Sequence, residues 1–372
     1  MKTKSLIVII SMSLLVIQLL QPTISMAQKV ACGGQHSILL CPDSVVNDWG
    51  WNSLGQLGNG TASYNNVPLV VTSLSGVTDI GGGVDHSVAL KNDGTVWAWG
   101  YNLNGELGNG TNTDTNIPTQ VTGLSNIVAI SSMYHSLALK PDSTVSAWGY
   151  NGYGELGNGN TTSSNVPVPV NNLTGITHIA CGYYHSLAIK SDSSVWAWGG
   201  VGGTGTLMSS NPIPIPIVGF TGITAISGGN GFSLAIKSDG TVWAWGGNNE
   251  GELGIGTTTL TLTPTQVTGL TGVVAISAGV YHSLAIKSDG TVWTWGFNMY
   301  GQLGNGTNTD SHIPVQVQGL TGIVSIAAGY AHSLAMKNDG TAWSWGQNTY
   351  GQLGDSTNAD SNIPVQVSPA EL

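Results

Sequence analysis

Tryptophan–glycine pairs recur along the chain at Trp49, Trp99, Trp148, Trp198, Trp245, Trp295 and Trp345, separated by 50, 49, 50, 47, 50 and 50 residues. Self-similarity at this period indicates an array or a propeller. It has to be settled before any single motif is interpreted, because a residue that recurs in every unit is explained first by the unit. Seven copies run from about Gln28 to Val367 and leave no segment for a linker or a second domain.

The sixth unit shows the internal pattern most clearly. Val273 to Ala278 reads as a first strand and His282 to Lys287 as a second, with a Gly279-Val280-Tyr281 turn between them. Asp289-Gly290 is a tight hairpin signal, since both residues tolerate positive φ. Thr291 to Trp295 reads as a third strand, with Trp293 and Trp295 on one face by the two-residue period. A long Gly/Asn/Thr loop follows, and Ile313 to Val317 is a short fourth strand whose Pro314 suits a sheet edge. Four antiparallel strands repeated seven times, with no helix, predict an all-β, seven-bladed β-propeller. Twelve of the 13 tryptophans fall in the Trp-x-Trp-Gly columns. Burying each would remove ~150–250 Å² from water, so indoles spread round a ring are expected to join sheet to sheet.

Three linked motifs recur in order: His-Ser-Leu-Ala-(Leu/Ile)-Lys, Asp-Gly-Thr-Val-Trp-Ala-Trp-Gly and Gly-(Gln/Glu)-Leu-Gly-Asn-Gly. Over nearly all of the chain after residue 27 they resemble the regulator of chromosome condensation repeat family. The resemblance implies a seven-bladed propeller that works by binding proteins. Members include a nuclear exchange factor for a small GTPase, ubiquitin-ligase propellers, a plant ultraviolet receptor and a secreted bacterial inhibitor of β-lactamases. Fold alone does not choose among such partners.

Residues 1–27 read as a signal peptide: Lys2 and Lys4 form a basic start, Leu6 to Leu20 an apolar stretch, and Ser25-Met26-Ala27 a cleavage site before Gln28. Residues 28–372 are then the exported propeller, secreted or periplasmic, with no membrane attachment after cleavage. The chain has no arginine, and without Lys2 and Lys4 it carries seven lysines against 19 acids, a formal charge of −12. Phosphate backbones require clustered Lys and Arg, so nucleic acid is not an expected partner and the nuclear activities of the family do not transfer. Three cysteines, Cys32, Cys41 and Cys181, make no disulfide framework, and Cys32 and Cys181 share a small-residue column as packed thiols.

Several motifs suggest chemistry, and each falls on a repeat column. His36, His86, His135, His185, His282 and His332 occupy one column with Phe232 in the fifth unit. Seven-fold spacing separates equivalent atoms too widely for one ion, so the column reads as a repeated buried hydrogen bond. Gly200 to Gly205 matches G-x-G-x-x-G, but the proline-rich segment after it cannot form the helix a dinucleotide needs. Gly231-Phe232-Ser233 likewise lacks the strand-to-helix turn of a nucleophile elbow. Asn112-x-Asp114-x-Asn116 spaces oxygens for calcium without the remaining EF-hand ligands, and polar loop tips explain it. The Asn-Gly-Thr triplets at Asn59, Asn109 and Asn305 match a glycosylation acceptor and also ordinary turn chemistry. Glu106, Glu155 and Glu252 alternate with Gln56, Gln302 and Gln352, as if the charge were optional. A hydrolase using face carboxylates such as Glu106 and Glu252 is the alternative class. No cofactor is expected, and the chain reads as non-enzymatic.

Strand alternation puts the first and third connections of each unit on one face, and the hairpins and inter-unit links on the other. The hairpin face is monotonous, with lysines beside Asp-Gly turns. The first face varies, and its variation is aromatic. Tyr134, Tyr183, Tyr184, Tyr281 and Tyr330 precede the His column. Trp51, Tyr101, Tyr150, Tyr153, Phe297, Tyr300 and Tyr350 follow Trp-Gly. Tyr and Trp on loops held by a rigid scaffold are the material of binding hot spots, and rings of this kind also pack loops onto a blade. The expectation is a monomeric scaffold whose aromatic rim takes a protein ligand, or else a component of a cell-surface assembly.

Overall fold

In the computed structural model, residues 29–200 and 202–369 are described; the expected signal peptide lies outside them. The described chain contains 28 strands and no helix, arranged as seven four-stranded antiparallel sheets. Each sheet is built from one repeat in strict chain order, with blades spanning 29–70, 77–120, 129–169, 176–216, 223–266, 273–316 and 323–366. The first strands touch one another round a central axis. The fourth strands form the outer edge, where each carries a proline such as Pro118 or Pro314, which cannot donate to an added strand.

Adjacent blades are joined by one small polar device used repeatedly. In the first interface His36 Nε2 lies 2.9 Å from Ser87 Oγ of the next blade, and Ser87 donates to the Gln56 carbonyl at 2.8 Å. The same carbonyl accepts the Trp99 indole N–H at 2.8 Å, so both of its lone pairs are occupied. Because the serine hydroxyl proton is committed to the carbonyl, the imidazole must donate, which fixes the Nε2–H tautomer. Full relays of this kind start at His36, His135, His185, His282 and His332. His86 instead meets Ser132 at 2.8 Å and Ser136 at 3.3 Å. The imidazoles lie over glycines such as Gly33 and Gly83, where any Cβ would collide with the ring. Phe232 fills the equivalent place over Gly229, so its interface keeps the packing and loses the hydrogen bond.

The last interface is built like the others, and this is what closes the ring. His332 meets Ser37 at 3.0 Å, while the Gln352 carbonyl accepts Ser37 at 2.8 Å and Trp49 at 2.9 Å. Val30, Cys32 and Trp49 of the first blade share a core with Leu334, Met336 and Val367 of the last.

The tryptophan columns divide the labour more sharply than the sequence suggests. The second Trp of each pair is 0% exposed and makes the inter-blade bond. The first, as in Trp97, Trp196, Trp243, Trp293 and Trp343, is only part-buried, under a lysine ammonium 4.0–5.8 Å from the ring. Lysine stems are amphipathic, so this position takes a lysine lid on the hairpin face, while the rings of Trp196, Trp243, Trp293 and Trp343 also pack against the cores shared with the neighbouring blades.

Candidate partner-binding face

Two loops of every blade are held side by side by the backbone. Where the third strand leaves Trp-Gly, the next residue donates its N–H to the carbonyl of the residue before the His column. Thus Trp51 bonds Gln35, Tyr101 bonds Asp85, Tyr150 bonds Tyr134 and Phe297 bonds Tyr281, at 2.8–3.1 Å. The repeated bond places both loop sets on one end of the ring, Tyr101 and Tyr281 included. The seven paired positions are then Gln35–Trp51, Asp85–Tyr101, Tyr134–Tyr150, Tyr184–Gly200, Gly231–Gly247, Tyr281–Phe297 and Ala331–Gln347.

The rings gather into three groups. Tyr134, Tyr150, Tyr153, Tyr183 and Tyr184 make a contiguous cluster with centroids 5.3–6.3 Å apart. Tyr101 borders it across a recess of about 390 Å³ lined also by Asp85 and Asn104. Tyr281, Phe297, Tyr300 and Tyr330 form a second group at 6.2–6.3 Å. Trp51 pairs with Tyr350 at 6.2 Å. The fifth blade adds no ring between the first and second groups, its paired positions being Gly231 and Gly247. Tyr183, placed on the rim by its sequence position, is 5% exposed and lies beneath Tyr134 and Tyr184 as their support.

Two members of this face escape a sequence reading. Tyr64 is 60% exposed and lies 6.4 Å from Tyr350. It stands where other blades carry Asp114, Asp310 and Asp360, whose carboxylates accept the N–H of Asn102, Asn298 and Asn348. A break in that aspartate column was the available signal. Asp85 is the other, the one charged residue in a column otherwise made of Gln, Tyr, Gly and Ala. Burial without a hydrogen-bonding partner raises its carboxyl to about 6.

The carboxylates of the alternative hydrolase reading do not stand on this face. Glu106 and Glu252 are buried, and each spends an oxygen capping its own turn, accepting from Asn104 N at 2.9 Å and Glu250 N at 2.8 Å. Gln302 and Gln352 accept equivalent bonds from Tyr300 N and Tyr350 N, which explains why amide and acid alternate. Burial raises the Glu106 and Glu252 carboxyls, and Glu155 to about 7. Asp114 and Asn112 are likewise committed to loop hydrogen bonds, and among the described residues no cluster of His, Cys, Asp or Glu could hold a metal. Cys32 and Cys181 are buried free thiols, and burial pushes both upward, Cys181 to about 12.

Known proteins share this architecture. The RCC1-like domain family matches residues 135–372, and regulator of chromosome condensation (RCC1) repeats match residues 48–90 and 93–139. Human WBSCR16 is similar in structure at a TM-score of 0.77 and 23% identity, over 87% of this chain and 94% of that one. Yeast RCC1 (Prp20), solved with Kap60 bound, gives 0.78 and 23% over 92% and 84%. Prp20p from Saccharomyces cerevisiae, described with its binding to Gsp1p and histones, gives 0.77 and 21% over 92% and 88%. These identities speak for the fold alone. Together with the family match, they establish that the chain belongs to the RCC1-like repeat propellers.

Proposed function

We propose that this protein is an exported, monomeric, non-enzymatic scaffold that captures a protein ligand on its aromatic face. The observation that carries the reading is the backbone pairing of the two loop sets, which concentrates Tyr, Trp and Phe on one end of a rigid ring. Aromatic side chains supply large contact area at low entropic cost, and rigid presentation keeps that area from being lost to loop ordering. Protein ligands are also the class bound by the yeast relative, crystallised with Kap60. The export step rests on residues 1–27, and the net acidity with no arginine speaks against a chromatin ligand.

The test is a pull-down from native secretions with the chain beginning at Gln28. A variant with Trp51, Tyr101 and Tyr281 changed to Ala should lose the ligand while keeping its circular dichroism. Undiminished capture by that variant, or turnover in a parallel glycan and ester substrate screen, would contradict the proposal.

A further inference from the structure

The recess between the second, third and fourth blades has a composition that nothing in the fold requires. Its walls are the rings of Tyr101, Tyr134, Tyr150 and Tyr184, and its polar lining is Asp85 and Asn104. Tyr134 and Tyr184 stack at 5.4 Å with planes 18° apart, while Tyr150 stands at 57° to Tyr134, giving walls of two orientations. Behind Asn104, Glu106 accepts both the Asn104 backbone and side-chain N–H at 2.9 Å, adding a second carboxyl below the recess. Burial, and after it the fields of Glu106, Asp114 and Asp85, raise the Tyr101 hydroxyl above its usual value.

Among the described residues, nothing cationic answers these charges. The repeat lysines stand at the hairpin ends of the second strands, on the opposite face. Lys29 pairs with Asp79. The buried imidazoles are neutral, burial holding His86 near 3. Asp85 is therefore a half-buried carboxylate in a recess walled by tyrosine rings, with no hydrogen bond to its side chain and no ion pair among the described residues. Aromatic faces carry negative quadrupole potential, so walls of tyrosine do not relieve an anion; they reinforce the same preference for a positive guest.

We propose that this recess is a binding site for an organic ammonium ion, with Tyr134, Tyr150 and Tyr184 supplying cation–π faces and Asp85 the counter-charge. This goes beyond the scaffold reading and needs no protein partner. The chemistry suits a quaternary trimethylammonium group or a primary ammonium such as a lysine side chain, and the volume accommodates either. Cation–π contacts of this kind strengthen as the cation is desolvated.

Isothermal titration calorimetry with the purified protein tests it, using choline chloride, Nα-acetyl-lysine methylamide and 3,3-dimethylbutanol, the neutral isostere of choline. At least one ammonium probe should bind in the millimolar range or tighter, with the neutral isostere about tenfold weaker. Comparing the two cations tells a quaternary from a primary guest. Asp85→Asn, a nearly isosteric change at a half-buried position, should weaken the preferred cation by about tenfold, and Tyr150→Leu should do likewise while Tyr150→Phe retains binding. Equal binding of choline and its isostere, no binding of either cation, or an unchanged affinity in Asp85→Asn would each overturn the assignment. Capture of a protein ligand is read separately, so a failure here leaves the scaffold proposal standing, and the converse also holds.

Discussion

A few buried polar residues decide the chemistry of the core, and they set its response to pH. The relay histidines are neutral in the fold, held near 3–4 by burial against a usual 6.5. The unfolded chain takes up protons on these rings below pH 6.5, so they withdraw stability as the pH falls toward 3. The buried carboxyls act oppositely. Asp48, Asp85, Glu106, Glu155 and Glu252 have raised values, so the folded chain binds their protons first as the pH drops from about 7. Below their usual 3.8 or 4.5 both states hold those protons, and the histidine contribution is joined only by that of hairpin aspartates such as Asp93 and Asp289, which the hydroxyls of Thr95 and Thr291 hold below the usual value. Thermal melts should show a Tm that changes little from pH 7 to about 4.5 and then drops steeply; a Tm that holds to pH 3 would refute the neutral relay. Asp48 offers a single-site check. It is fully buried with Oδ1 unpartnered, whereas Thr294 and Ser344 at the same position donate to the Leu303 and Leu353 carbonyls. Asp48→Ser should therefore stabilise the protein by about 1–3 kcal/mol, and more at pH 8 than at pH 5, by denaturant titration at both.

At the scale of the element, each long loop depends on one buried asparagine. Asn102 accepts the Leu107 N–H and donates to the Thr111 and Thr113 carbonyls, drawing residues 103–113 into a closed loop. Asn52, Asn151, Asn248, Asn298 and Asn348 repeat the arrangement. Replacing Asn102 by Ala strands three backbone groups, which costs about 1–3 kcal/mol for each buried group left unpaired. Limited proteolysis should then cut first within 103–113, where the parent protein resists; unchanged resistance would show that packing alone holds the loop. The fourth blade lacks this asparagine, and its Gly203 carbonyl still accepts Trp245 and Ser233 at 2.9 Å. The inter-blade joint thus survives a degenerate loop, and the irregular Gly200 to Gly205 stretch needs no ligand to explain it. Strands, hairpins and edge prolines were all legible beforehand, since each follows from local periodicity and turn chemistry. The half-exposure of Trp97 and its equivalents was not, because alternation assigns a residue to a sheet face without saying how much of it the neighbouring blade covers and how much is left to a lysine stem.

For the whole molecule, ring geometry turns local columns into one surface. Repeat spacing foretold the blade number, and alternation foretold which loops share an end. It did not foretell that Tyr183 would be buried under its neighbours, nor that Tyr64 and Asp85 would join the face, because those contacts pass between blades. The same geometry makes the final interface equal to the rest: breaking it with Trp49→Ala should cost about 3–5 kcal/mol, like any other staple. A protein ligand is expected to dock on the aromatic end of the ring and not on the lysine end. The most direct test is to measure the Kd of the captured ligand against two variants, Trp51, Tyr101 and Tyr281 to Ala, and Lys91, Lys237 and Lys287 to Ala. Binding is expected to be lost in the first and to stay within about twofold of the parent in the second, since rim charges away from a contact alter affinity little. Loss of binding in the lysine variant with full binding in the aromatic one would contradict it.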